Sequence, residues 1–283
     1  MKCKYFDAHT HIHFPAFDKD RNEVAVRAID QGVGMVTVGT GQTTSKKAVE
    51  IAHAFMNIWA AVGLHPIHTA DSHHDADESG KVAQEGAKAP AEKFDHAFYK
   101  TLGEDARVVA IGECGLDYYR LEGSAEKAKK TQREGLVAQI ALAHEVKKPL
   151  MIHCRSAFPD LIEILEAQKK YLAKNDAGVI HFFSGTPAEA EQLLSLGFSF
   201  TFGGVITFTR DYDAVIKMLP MDRILSETDA PYVAPAPYRG KRNQPVYIVE
   251  VVKKLAELRG VSESDMAAQT IANAERIFKI QLS

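Results

Sequence analysis

Short runs of β-branched and aromatic residues recur along the chain, separated by longer stretches with helical spacing. Eight of these runs predict strands, at Lys4–His9, Val33–Gly39, Ile58–Gly63, Val108–Glu113, Leu150–Cys154, Val179–Phe183, Phe198–Phe202 and Ile224–Glu227. The run Val33-Gly34-Met35-Val36-Thr37-Val38 does not alternate, as expected of a parallel strand covered on both faces. Helical periods fill the gaps near Thr44–Met56, Ala91–Leu102, Ala125–Val146, Ala157–Lys170, Ala188–Leu196 and Gln244–Arg259, with a last helix near Glu263–Phe278 begun by Ser262. Such alternation predicts an α/β chain forming one (β/α)8 TIM-type barrel over residues 1–283, with an extra C-terminal helix. An open doubly wound sheet competes, but no Gly-rich dinucleotide loop follows the first strand. Residues 69–90, rich in Asp, His, Ala, Gly and Lys, break the rhythm and are expected to form an exposed polar loop insertion. His68, His73 and His74 are read as solvated surface there.

Composition narrows the class. The chain has 283 residues, 46% hydrophobic and 25% charged, which suits a soluble globular protein with a large core. No apolar run is long enough to span a bilayer, and the N-terminus lacks the apolar stretch of a signal peptide. Three cysteines argue against a disulfide framework and for a reducing cytoplasmic setting. A net charge of −3 excludes nucleic-acid binding by bulk charge alone, but leaves open a local basic patch or capture through bound cations. No obligate protein partner is evident.

Candidate chemistry falls at strand ends. His9 and His11 close the first strand two residues apart, a spacing that puts both imidazoles on one face. Taken alone, a His-x-His pair among 12 histidines is unremarkable. Glu113 ends the fourth strand, His153 the fifth, His181 lies in the sixth and Asp229 follows the eighth. One polar strand end can cap a helix or make a buried hydrogen bond; five together, on the face where barrels carry their active sites, point to a metal centre. Glu113 is costly to bury unless paired or metal-bound. Strand alternation turns Cys114 and Cys154 away from that face. His65, after the third strand, is a candidate substrate contact or a structural hydrogen bond. Arg155 and Arg239 are candidate anion contacts, whereas Arg242 reads better as a surface salt bridge.

The ordered motifs Asp7-Ala8-His9-Thr10-His11, Gly63-Leu64-His65-Pro66, Gly112-Glu113-Cys114-Gly115-Leu116-Asp117-Tyr118-Tyr119, Ile152-His153-Cys154-Arg155, His181-Phe182-Phe183-Ser184-Gly185, Glu227-Thr228-Asp229-Ala230-Pro231-Tyr232 and Arg239-Gly240-Lys241-Arg242-Asn243-Gln244-Pro245 run nearly end to end. In this combination the chain resembles the TatD family of metal-dependent deoxyribonucleases, within the amidohydrolase-like barrels. The resemblance implies that His9, His11, Glu113 and Asp229 hold one divalent cation. Glu113 would bridge to a second, completed by His153 and His181. It further implies hydrolysis of DNA or RNA ends, with Mg²⁺, Mn²⁺ or Zn²⁺ polarising the phosphate and acidifying a water that Asp229 orients or deprotonates. Two departures fall near the expected substrate rim: Ile67 separates Pro66 from His68, and the stretch before Glu113 is long. Hydrolysis of an ester, amide or lactone, including an aminoacyl ester on RNA, is the alternative reading. A non-catalytic nucleic-acid-binding or metal-storage barrel is a third.

Overall fold

A computed structural model describes residues 3–70, 78, 90–121 and 123–282. Eight parallel strands pair in sequence order: β1 (Tyr5–Thr10), β2 (Val33–Val38), β3 (Ile58–Val62), β4 (Val108–Asp117), β5 (Leu150–Arg155), β6 (Gly178–Ile180), β7 (Phe198–Phe202) and β8 (Ile224–Ser226). Helices follow or separate them: α1 (Arg21–Asp30), α2 (Gln42–Ala54), α3 (His96–Gly103), α4 (Ala125–Glu145), α5 (Phe158–Ala167), α6 (Pro187–Ser195), α7 (Asp213–Met218), α8 (Ile248–Arg259) and α9 (Glu263–Phe278). This is the expected barrel.

Strand side chains divide into two cores. Phe6, Trp59, Met151, Val179 and Leu225 fill the interior, where Ala274, Ile277 and Phe278 of α9 join them and close one end. The outward residues, among them Cys114 and Cys154, pack under the surrounding helices. No regular ladder joins β8 to β1; side chains bridge the seam instead. Ser226 Oγ donates to Phe6 O at 2.9 Å, and the fully buried Asp7 carboxylate accepts from Thr228 N (2.8 Å) and Thr228 Oγ1 (2.5 Å). Above these, Asp229 N donates to His9 O at 2.9 Å and His11 N to Ala230 O at 2.7 Å.

The elements differ from the sequence expectation in instructive places. β4 runs on to Asp117, four residues past its expected end. β6 stops at Ile180, so His181 leads the following loop instead of lying in the strand. α1 and α7 were not anticipated: α1 buries only Val24, Ala25 and Ala28, too narrow an apolar stripe to register, and α7 has six residues. α3 begins at His96 because Asp95 caps it, accepting from Phe98 N at 3.1 Å. Of the expected insertion at 69–90, most residues, including His73 and His74, lie outside the described residues. His68 corrects the expectation of a solvated imidazole: it is buried, with Nε2 3.1 Å from the carboxylate of Glu78, in the turn that Pro66 begins. No helix among the described residues is long and apolar enough to cross a membrane.

Candidate metal centre

The C-terminal ends of the strands gather His9, His11, His65, Glu113, His153, His181 and Asp229 at one mouth. Glu113 sits at its middle. Its Oε2 lies 3.4 Å from His9 Nε2 and 3.9 Å from His11 Nε2, while its Oε1 lies 3.0 Å from His153 Nδ1, 3.4 Å from His65 Nε2 and 3.6 Å from His181 Nε2. Asp229 Oδ1 completes the first group, 3.3 Å from His11 Nε2 and 3.9 Å from His9 Nε2.

The local backbone makes this convergence. β4 and β5 lie close at Gly115, opposite His153 in the ladder: φ is +148° and an added Cβ would fall 1.8 Å from His153 O, so only glycine fits. Asp229 takes a left-handed conformation, φ +55°, which Asp tolerates better than most residues. Its N–H bond to His9 O turns its carboxylate back over β1.

Hydrogen bonds settle which ring nitrogens are free. His11 Nδ1–H donates to Val38 O at 2.7 Å, and His181 Nδ1–H donates to Glu227 Oε2 at 2.9 Å. Each therefore turns its Nε2 to the centre. His9 Nε2 faces His11 Nε2 at 3.2 Å, and His9 Nδ1 is buried without a partner. Imidazole nitrogens and carboxylate oxygens converging at such distances suit a divalent cation. Ligand atoms of His9, His11 and Asp229 all lie within 4.8 Å of one another, as do those of His65, Glu113 and His153. His65 is the less suited of these, because its Nδ1 accepts from Ile67 N at 3.2 Å; Nε2 then carries the proton and points it at Glu113.

Two carboxylates quoted in the motifs were given no role from sequence. Glu227 is fully buried and bonded by His181, Phe182 N (2.9 Å) and Thr201 Oγ1 (2.5 Å). Asp117 Oδ2 lies 3.0 Å from His153 Nε2. Both are placed to orient the imidazoles they meet, as outer partners do at metal sites. Their signal was proximity: Glu227 lies two residues before Asp229, and Asp117 four after Glu113. Glu227→Gln is expected to weaken metal affinity by about 10–100-fold, read as metal retained after dialysis, while the fold persists.

Electrostatics follow from the same contacts. Burial favours a neutral Glu113, but the neighbouring imidazoles of His65, His9 and His181 outweigh it and hold the carboxyl well below its usual range. Burial likewise opposes charge on His153 and His181. The carboxylates of Asp117 and Glu113 override it for His153, pushing its pKa up to about 9, and those of Glu227 and Glu113 for His181, up to about 10. Burial and the nearby His181 push His9 down to about 4, leaving it neutral. At pH 7 the metal-free centre thus holds protons on His153 and His181 that an entering cation must displace. Titration calorimetry in buffers of different ionisation enthalpy should show net proton release on metal uptake. Apparent affinity should rise with pH toward the range in which those imidazoles lose their protons.

Around the mouth, a cleft of about 460 Å³ is lined by His153, Arg155, His181, Phe182, Tyr212 and Asp229, among others. The Arg155 guanidinium lies 3.6 Å from the centre of the Tyr119 ring, and that of Arg239 lies 3.7 Å from the centre of Phe208. Arg242 instead grips Asp20 through two bonds of 3.0 and 2.6 Å.

Comparison with known proteins matches this arrangement. The sequence profile of the family described as TatD related DNase matches residues 6–279. The metal-dependent hydrolase YabD of Bacillus subtilis is 35% identical over 278 residues, covering 97% of this chain and 99% of its own. The 3′-5′ ssDNA/RNA exonuclease TatD of Erwinia tasmaniensis is also 35% identical, covering 97% and 100%. Among solved structures, the TatD homolog YJJV of Escherichia coli K12 superposes with a TM-score of 0.81 at 28% identity, over 99% of this chain and 100% of that one.

Proposed function

Because the chain belongs to the TatD family of metal-dependent DNases, we propose that it hydrolyses phosphodiester bonds at the ends of single-stranded DNA or RNA, using one or two divalent cations. The observation that carries this reading is the convergence of imidazoles from separate strands on the two oxygens of Glu113, with Asp229 beside His9 and His11. His9, His11, Glu113 and Asp229 would hold one cation; Glu113, His153 and His181 would hold a second. When bound, such cations supply Lewis acidity, drawing charge from a phosphate and acidifying water. The imidazole-rich donors suit Zn²⁺ or Mn²⁺, and Mg²⁺ serves where it is in excess.

The remaining work belongs to the side chains. Burial opposes ionisation of Asp229, but His11, His181 and His9 outweigh it and hold its pKa below the usual carboxylate value. Asp229 is therefore ionised at neutral pH and available to orient a water and accept its proton at a carboxylate oxygen. Glu113 fixes the spacing of the two imidazole groups. Arg155 and Arg239 offset charge gathering on the phosphate oxygens. His65 Nε2–H holds Glu113 or donates to the substrate.

Metal-stripped protein, repleted with each cation, is to be tested on end-labelled single-stranded DNA and RNA, an aminoacyl ester and simple lactones. Shortening of the nucleic acids from an end, with the esters and lactones intact, is the expected result. Carbonyl turnover with intact nucleic acid would replace the reading, and a metal-loaded but inert protein would remove it.

A further inference from the structure

Five arginines, Arg107, Arg120, Arg155, Arg239 and Arg242, lie over aromatic rings, and they differ in what else they touch. Arg242 lies over Phe17 and is tied to Asp20; Arg107 lies over Trp59 and donates to the carbonyls of Ala52, Phe55, Met56 and Ile58. Both are occupied in holding the fold. Arg155 and Arg239 are exposed, and among the described residues neither has a carboxylate partner. Each lies over a ring that is itself open to water: Tyr119 is 50% exposed and Phe208 is 36% exposed, and the exposed Arg120 also approaches Tyr119, at 5.2 Å.

One stack reaches the cleft through Arg155, and the other lies on two loops, one of which contributes to the cleft wall. Tyr119 follows β4 and is fixed by its N–H bond to Asp117 Oδ1 (3.0 Å), while Arg155 ends β5 and lines the cleft. Phe208 follows β7, and Arg239 lies on the loop after β8. These last two loops are bonded to each other through Ala236 N and Thr207 Oγ1 at 2.9 Å, and Val233, on the second of them, lines the same cleft.

We propose that the Tyr119–Arg155 and Phe208–Arg239 stacks are two platforms for unpaired nucleobases, each ring taking the base of one nucleotide beside the scissile phosphate and each guanidinium its phosphate. The inference rests on the nucleic-acid reading above and adds the residues that would select a single strand. An aromatic ring and a guanidinium plane each offer a flat face on which any base stacks, so recognition is indifferent to sequence. A paired base has its faces covered by its neighbours and cannot reach either platform. Stacking on the ring also fixes the long arginine chain beforehand, so less motion is lost when phosphate arrives. Such a stack buries little, and among the described residues neither guanidinium has a carboxylate partner, so it adds little to holding the fold.

The test measures binding and turnover separately on the metal-loaded full chain. Binding is read by fluorescence anisotropy with a single-stranded oligonucleotide whose last linkages are phosphorothioate. Parallel oligonucleotides carry an abasic residue at one or other of the terminal positions. Tyr119→Ala and Phe208→Ala are each expected to raise Kd about tenfold on the fully based strand. Each should cost nothing further on the strand already abasic at the position its ring serves. Tyr119→Phe and Phe208→Tyr, which keep the rings, should retain the parent Kd. Unchanged Kd in both alanine variants, or equal losses on based and abasic strands, would overturn the proposal. Ring-dependent binding without phosphodiester turnover would sink the nuclease reading and leave this one standing; turnover with ring-indifferent binding would do the reverse.

Discussion

Glu113→Gln should reduce phosphodiester turnover by about 10³-fold or more, the largest effect expected of any single substitution. The amide keeps the size of the carboxylate but loses its charge, and one of its two ends becomes a donor. In the parent, one oxygen faces His9 and His11 while the other faces His65, His153 and His181. No rotamer of glutamine can serve both groups as an acceptor. Metal content measured by plasma emission should fall with the activity, whereas circular dichroism should be unchanged. Near-parental turnover with a full metal complement would remove Glu113 from the centre of the mechanism.

The largest expected effect on stability lies below the metal centre. Asp7→Ala should cost about 3 kcal/mol and lower the thermal midpoint by about 6–10 °C. The carboxylate accepts from Thr228 N and Oγ1 and from His9 N, all buried, where the missing β8–β1 ladder would otherwise supply bonds. Alanine leaves those donors with neither partner nor water. Asp7→Asn should lose less, since one oxygen remains. Burial pushes the Asp7 carboxyl well up, so losing its charge costs less than losing its bonds. Urea unfolding of the three proteins gives the comparison, and equal midpoints would show that the seam does not depend on Asp7.

How far the sequence discloses this protein depends on the range of the interaction. The eight strands were legible because runs such as Val33–Val38 are largely apolar on both faces and Phe198–Phe202 alternates Phe with Ser and Thr, signals that need only neighbours in the chain. β6 was harder to bound: it has three residues, and the chain turns at Phe182, where φ is +46°. α1 and α7 escaped because their apolar stripes are narrow or short. At the mouth, His9, His11, Glu113, His153, His181 and Asp229 could be picked out, since residues that suit a cation stood at the ends of five separate strands, and the structure brings them together. Asp117 and Glu227 could not be given roles in that way. Their parts depend on which ring nitrogen of His153 or His181 each one meets, a fact of three dimensions. His68 was misjudged because a polar neighbourhood in sequence was taken for solvent, whereas the turn at Pro66 carries the imidazole inward to Glu78.

The division of donors across the β1–β8 seam has a consequence for metal exchange. His9 and His11 stand on one side and Asp229 on the other, so a cation held as proposed would act as a clasp between the first and last strands. Losing the ion and parting those strands then become two views of one event. Chelators should accelerate amide exchange at this edge before any other part of the barrel, and proteins stiffened there should surrender their metal slowly.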